Sequence, residues 1–357
     1  GYSYQFQNFG KTSNRGIELS LNFDVINKGD FRFNIGAIYN YNRNKLDELP
    51  NADQYLYSSY WGSSSLVPTN DYMFVEGKAI GLVRGFVSEG FYTVNDFRYE
   101  NGQYILKEGI PDITKALTAT YMHPFNIPNG QTAFPGAAKF RDVNNSGTVD
   151  LDDATCLGEV MPRHTGSFQL NFNYKNFDLS SNFNWTAGGK VYNVAAMINA
   201  SGQEFDGIGA QRTSWVADTY KVYNVNSSGD LYAVTDPNEL NALNANAKYH
   251  LPYHQSGITS SEWLEDGSYL RLQTLTLGYT LPHTVLNKIH IEKLRIYLTA
   301  TNLFTITGYS GIDPEVNATP TGQSGFYSNL RVFPTLNMDF GTYPRARTFT
   351  LGGNITF

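Results

Sequence analysis

Ile17, Leu19, Leu21, Phe23 and Val25 alternate with Glu18, Ser20, Asn22 and Asp24, and this two-residue period returns along the chain. Successive strand residues face opposite sides, so the period writes a ribbon with one apolar and one polar face. After the tight turn Asn27-Lys28-Gly29-Asp30, the residues Phe31, Phe33, Ile35, Ala37, Tyr39 and Tyr41 repeat it against Arg32, Asn34, Gly36 and Asn40. Phe168, Leu170, Phe172 and Tyr174, the turn Lys175-Asn176, then Leu179, Ser181, Phe183 and Trp185 make a second hairpin of the same kind. A third joins 269–281, where Leu275, Leu277 and Tyr279 share a parity, to Leu294, Ile296, Leu298 and Ala300 through the turn 282–291. Less regular runs at 72–75 and 80–92, weakened by Gly81, Gly85 and Gly90, add two strands. The closing residues put Phe349, Leu351, Ile355 and Phe357 on one parity and Thr348, Thr350, Asn354 and Thr356 on the other.

The reading is an all-β chain of about nine strands whose connections alternate strictly between short and long. The long ones span about 46–70, 93–165, 191–266 and 305–344, with short helices expected at 194–200 and 239–247. Connections of this length are uncommon in compact soluble domains, whereas outer-membrane barrels carry short periplasmic turns and long external loops. Composition agrees: aromatics make up 15% and charged residues only 16%, below the roughly 25% of soluble domains. Mean hydropathy is −0.35, and no run approaches the roughly 20 apolar residues of a transmembrane helix. The competing reading is a secreted, glycan-binding β-sandwich with decorated loops. Nine strands is an odd number and too few for loops so large, so the chain reads as part of a larger barrel. Gly1 stands where a start methionine would and no signal peptide follows, which also suggests a processed chain or a piece of a longer one.

A net charge of −6 argues against a nucleic-acid partner. The single cysteine, Cys156, excludes an internal disulfide. The segment from Asp142 to Asp153 matches a calcium-loop pattern. Asp142, Asn144, Ser146, Asp150 and Asp153 stand at oxygen-donor positions, Gly147 at the sharp turn, and Thr148 offers its carbonyl. Ser146 and Asp153 replace the usual Asp and Glu, so weak, structural Ca²⁺ binding is the expectation, against an Asx-turn loop held by its own hydrogen bonds. His250 and His254 flank Leu-Pro-Tyr, and Pro252 opposes a helical metal pair. No Gly-x-Ser-x-Gly elbow or phosphate-cradling loop occurs, so an enzyme is not expected. Loop aromatics, above all Tyr60, Trp61, Tyr92, Trp215 and Trp263, are candidate contacts for a ligand or a protein lid, or else pack the loops on one another.

Several short motifs resemble one family in its own order. Asn14-Arg15-Gly16-Ile17-Glu18 is similar to its strand start, and Val75-Glu76-Gly77-Lys78 with Gly81 and Gly85 to one of its hairpins, with Ala79 where proline is usual. Pro135-Gly136, Asp142-Val143-Asn144, Gly158 and Pro162 follow, then Tyr269-Leu270-Arg271-Leu272 with Leu277-Gly278-Tyr279. Asn302-Leu303-Phe304-Thr305, Tyr309-Ser310-Gly311, Asp313-Pro314-Glu315 and Tyr343-Pro344-Arg345 resemble its closing run. The family is the SusC/RagA-type TonB-dependent outer-membrane transporters of Bacteroidota, and the resemblance is to the C-terminal part of their barrel. It implies about nine strands of a barrel of about 22, spanning the cell outer membrane in contact with its lipid. It also implies a SusD-like surface lipoprotein over the external mouth, and import of oligosaccharides or peptides driven by the TonB system through an N-terminal plug outside this sequence. The alternative is such a barrel serving as a structural subunit of a larger outer-membrane assembly. Phe357, the terminal aromatic, resembles the barrel-assembly signal of outer-membrane proteins.

Overall fold

The computed structural model describes residues 10–50, 53–59, 67–117, 123–201, 213–251, 257–286, 291–316 and 337–357. Seven long strands form one antiparallel sheet in chain order: β1 (Lys11–Lys28), β2 (Phe31–Glu48), β3 (His164–Tyr174), β4 (Phe177–Ala187), β5 (Tyr269–Thr280), β6 (Lys293–Thr307) and β7 (Thr348–Thr356). Each neighbour in sequence is the neighbour in space, as in an up-and-down barrel wall, and the outer edges of β1 and β7 are unpaired within the described residues. No helix among the described residues is long and apolar enough to cross a membrane.

Register carries the alternation from strand to strand. Leu21 pairs with Ala37, Ala37 with Phe168 and Phe168 with Phe183, so their side chains share one face. Leu179, Leu277, Leu298 and Leu351 continue that face through β4 to β7. The apolar face is open: Ile17, Leu19, Phe23, Leu277, Leu298 and Leu351 are exposed. A β-bulge at Gln273 moves the apolar positions of β5 from even to odd numbers, from Leu270 and Leu272 to Leu275, Leu277 and Tyr279.

Aromatic belts bound this face. At the short-turn end, Phe31 meets Tyr174 and Phe177 meets Tyr279, with ring centroids 6.4 and 4.6 Å apart. At the other end, Tyr39 stacks near both His164 and Trp185. The ten-residue step from Phe31 to Tyr41 covers about 33 Å along a strand. At the usual tilt of about 40° that becomes about 25 Å of height, the thickness of the lipid-facing band of an outer-membrane barrel. The short turns are laced together, with Lys175 N donating to Asp30 O (3.0 Å) and Thr280 N to Asn176 O (2.8 Å).

Two strands of the sequence reading are not in the wall. Tyr72–Val75 lies with Gln54–Tyr57, Leu82–Gly85 and Thr155–Glu159 in a separate four-stranded sheet, and Ser88–Phe91 pairs with Ala138–Phe140. Tyr72, Met73, Phe74, Leu82 and Val83 are all buried, so these strands are covered on both faces, which a wall strand with lipid on one side is not. The expected loops 46–70 and 93–165 therefore belong to one excursion, 49–163, followed by 188–268 and 308–347. Helices form at Val194–Ser201 and Pro237–Leu243, near the two expected, and also at Thr213–Asp218 and His283–Leu286.

The buried core lies in these excursions. One cluster joins Phe86, Tyr92, Phe97, Tyr104, Phe134 and Phe140 of the first to Tyr220, Val234, Leu240 and Ile258 of the second. Another gathers Leu46 of β2, Tyr72, Phe74, Tyr192, Met197, Trp263 and Met338, and so ties all three excursions to the rim of the wall.

Candidate functional site

The polar face of the wall is one continuous surface. Asp24, Asn34, Asn171, Ser180, Thr276, Thr299 and Thr350 form a single row across all seven strands, each the register partner of the next. Side chains join along it. Asn34 Nδ2 donates to Asp24 Oδ1 (3.0 Å), Ser180 Oγ donates to Asn171 Oδ1 (2.8 Å), and the hydroxyls of Thr276 and Thr299 are 3.0 Å apart. Nearer the short turns, Arg295 makes a two-pronged contact with Asp178, Nε to Oδ1 at 2.9 Å and Nη2 to Oδ2 at 2.5 Å. Arg295 also lies over the Tyr297 ring. Gly278 makes room for this pair, since a Cβ there would stand 2.5 Å from Asp178 Oδ1. An amide- and hydroxyl-lined wall of this kind suits a wet lumen or the polar surface of a protein filling it.

At the rim the third excursion is clamped to the wall. Arg271, on the polar face of β5, is almost fully buried. Its Nη2 lies 2.5 Å from Asp313 Oδ1, Nη1 lies 3.0 Å from Glu315 Oε2, and Nε donates to Thr305 Oγ1 (3.0 Å). Arg345 closes the chain, with Nη2 2.7 Å from Glu315 Oε1. Three motifs that stand far apart in the sequence thus form one ion network. Beside it, Glu265 accepts from Ser310 N and Oγ (both 2.7 Å) and from Asn193 Nδ2 (2.7 Å), and the Tyr309 hydroxyl donates to Asp339 Oδ2 (2.6 Å). No periodicity marks these residues. In the sequence Arg271, Asp313, Glu315 and Arg345 stand only as members of separate short motifs.

The first two excursions interlock through their backbones. Phe86 N donates to Thr259 O and Ser261 N to Phe86 O, both at 2.9 Å, and Thr259 N donates to Val67 O (2.9 Å). Gly85 permits this approach, because a Cβ there would run into the Thr259 carbonyl.

Of the candidate contact residues, Tyr60 and Trp61 lie outside the described residues. Trp215 stands on the helix Thr213–Asp218, and its side chain lies outside them as well. Tyr92 and Trp263 are not surface contacts. Tyr92 is 0% exposed and Trp263 is 3% exposed, each inside one of the loop cores. The Tyr92 hydroxyl donates to Pro111 O (2.6 Å). Burial, with Asp112, Asp96 and Glu89 nearby, pushes this phenol well above its ordinary pKa and keeps it a donor.

In the acidic loop, Asp142 accepts from Ser146 N (3.1 Å) and Gly147 N (2.7 Å), and Asn144 Oδ1 also accepts from Ser146 N (2.9 Å). Ser146 Oγ donates to Thr148 O (2.8 Å), and Asp150 Oδ1 accepts from Asp152 N (2.8 Å). Asp153, expected as the last ligand, is engaged by the loop backbone. It is buried, with Oδ1 accepting from Val143 N (2.7 Å) and Oδ2 from Asp150 N (2.9 Å) as half of a capping box. Among the described residues, no three His, Cys, Asp or Glu side chains gather as a metal centre. His250 is buried with Nε2 3.6 Å from Glu262 Oε2, while His254 lies outside the described residues.

At the end of the wall, Phe349, Leu351 and Ile355 occupy the open apolar face, and Phe357 follows β7 at the short-turn side. Glu292 N donates to Thr356 O (2.9 Å) and pins that end.

No family model matches the chain. It is 28% identical over 357 residues to TonB-dependent receptor P3 of Formosa agariphila, a match covering all of this chain and 30% of that receptor. It is 24% identical to TonB-dependent receptor SusC of Bacteroides thetaiotaomicron, over 98% of this chain and 27% of SusC. Among solved structures, the RagAB peptide transporter superposes with a TM-score of 0.61 at 20% identity, covering 99% of this chain and 30% of that one. The chain thus spans under a third of the length of the relatives it matches. In sequence and in fold alike, the chain matches a barrel segment of the SusC/RagA-type TonB-dependent receptors.

Proposed function

We propose that the chain is the C-terminal part of an outer-membrane barrel that imports a large nutrient, an oligosaccharide or a peptide, by TonB-dependent transport. A SusD-like surface lipoprotein covers its outer mouth, and an N-terminal plug couples it to TonB. The observation that carries this is the two-faced wall: one polar row through all seven strands, backed by an open apolar face about 25 Å tall between aromatic belts. The interlocked excursions supply a firm platform for a lid. The test uses the full-length protein in its own outer membrane. Uptake of the nutrient should stop when the proton-motive force is collapsed, and a surface lipoprotein should co-purify with the barrel. The alternative, a SusC-like barrel acting as a scaffold, predicts a barrel that co-purifies with an assembly and takes up nothing. An upstream sequence without plug or TonB box would decide for the scaffold.

We further propose weak calcium binding at the acidic loop, through Asp142, Asn144, Asp150 and the Thr148 carbonyl. Hard oxygen donors at alternate positions around Gly147 support it. The inward turn of Asp153 removes the strongest carboxylate and leaves a low-affinity site. Calcium should raise the melting midpoint of the full-length protein and a chelator should lower it, with Asp142→Ala blunting both. A wild-type protein indifferent to chelator would sink the proposal.

A further inference from the structure

The apolar parity of the first hairpin does not end in apolar residues. Beyond Ile17 on β1 and Tyr41 on β2, the next positions on the same face are Arg15 and Arg43. They are direct register partners, and both are exposed. Side chains opposed in this way begin about 5 Å apart at their Cβ atoms, and like charges so placed repel. Gly16 keeps the strands close here, because a Cβ on it would run into the Tyr41 carbonyl. Among the described residues neither arginine has a carboxylate partner. The next cation outward on this face, Lys45, does have one: its Nζ lies 3.3 Å from Asp47 Oδ1. The fold supplies a counter-ion to Lys45 and leaves the inner pair open.

Height along the wall identifies what meets them. Arg43 is twelve residues from Phe31, which is about 40 Å along the strand and about 30 Å of height at a tilt of about 40°. The lipid-facing band is about 25 Å tall, so the two guanidinium groups stand just above its outer edge, at the level of lipid headgroups. Arg347 reaches the same zone from the other end of the sheet. It lies ten residues from Phe357 on the parity of Phe349, Leu351 and Ile355, and it is exposed.

We propose that Arg15 and Arg43 together bind the phosphate of an outer-leaflet lipid. A phosphate oxygen between two guanidinium forks relieves their repulsion and gives each a charge-assisted pair. The acyl chains of the same lipid would then run down the apolar column of Ile17, Leu19, Leu21 and Phe23. The inference rests on the reading that the apolar face meets lipid.

The full-length receptor is reconstituted in phosphatidylcholine nanodiscs holding a small fraction of lipid A, either phosphorylated or enzymatically dephosphorylated. Retained lipid is counted by native mass spectrometry. Wild type should hold the phosphorylated form at least about tenfold better, in line with two arginines at an anionic surface. The double variant R15Q/R43Q should lose that preference, and R15K/R43K should keep much of it. Unchanged preference in R15Q/R43Q overturns the proposal, and so does displacement of the lipid by inorganic phosphate alone, which would assign the pair to a soluble anion. Heat-shifted electrophoretic mobility shows that each variant is folded. A receptor that needs no detergent or lipid to stay in solution defeats the barrel reading. One that reconstitutes without preference defeats only this inference.

Discussion

Arg271 and Asp313 meet at 2.5 Å, one on the barrel wall and the other 42 residues later in the third excursion, and both are buried. A buried pair of this kind is weak evidence of stabilisation relative to an apolar isostere, but removing one partner leaves an uncompensated charge. Arg271→Ala should therefore cost about 3 kcal/mol or more, read as a lower unfolding midpoint of the full-length barrel. Cleavage of the 308–347 segment by added protease should rise in parallel. Arg271→Met combined with Asp313→Leu should recover part of the loss. A double variant no better than Arg271→Ala would show that the pair is not a unit.

Gly278 sets a second test on the polar face. A valine there forces its branched Cβ into the Asp178–Arg295 pair. Gly278→Val should destabilise by about 1–3 kcal/mol, as overpacking generally does. Gly278→Val with Asp178→Ala should be less harmful than the sum of the two changes. Additive losses in denaturant titrations would show that the two sites do not touch.

His123 carries a pH dependence. It stacks on Phe134 with centroids 4.1 Å apart, and its buried Nδ1 has no hydrogen-bond partner. Burial lowers its pKa, partly offset by a backbone hydrogen bond at Phe125. With the folded value below the unfolded one, the unfolded chain binds more protons, so stability rises with pH. The loop core should be fully stable above about pH 6.5, weaken as pH falls through that value, and level off below the depressed folded pKa. Protection factors at 125–134, corrected for the intrinsic slowing of amide exchange in acid, should fall on going from pH 7.5 to the acid side in wild type and change less in His123→Phe. Equal loss of protection in both would assign the effect to other groups.

Deleting Phe357 should reduce the amount of folded, heat-modifiable protein in the outer membrane while leaving synthesis unchanged. The residue caps the apolar parity of β7 at the short-turn rim and is 87% exposed, so it has little packing to lose within this chain. Assembly at wild-type levels would remove its role as an insertion signal.

Much of the wall was legible because each strand keeps one parity, and register then carries that parity across neighbours. Where parity breaks, reading stops short. The bulge at Gln273 hid Leu270 and Leu272 from the face that Leu275 and Leu277 announce. The wall strands also outrun their alternation, with β1 beginning at Lys11 where the period begins at Ile17, because their outer ends leave the apolar band. The segment 72–92 reads as two more wall strands, yet Tyr72–Val75 is an unbroken apolar run, which marks burial on both faces. The Arg271 network lay beyond any periodic signal, since its members are brought together by the return of a long connection to the rim. Tyr92 and Trp263 show that aromatics in a long excursion are its own core before they are anyone's contact.

The close passage of Gly85 against the Thr259 carbonyl, with the backbone bonds beside it, has a bearing on engineering. Segments 49–163 and 188–268 are two halves of one folded body threaded through separate places in the chain. A chimera that exchanges either segment alone mismatches that body along its whole seam. Under the proposed import function, a new specificity is transplantable only when both segments come from the same donor.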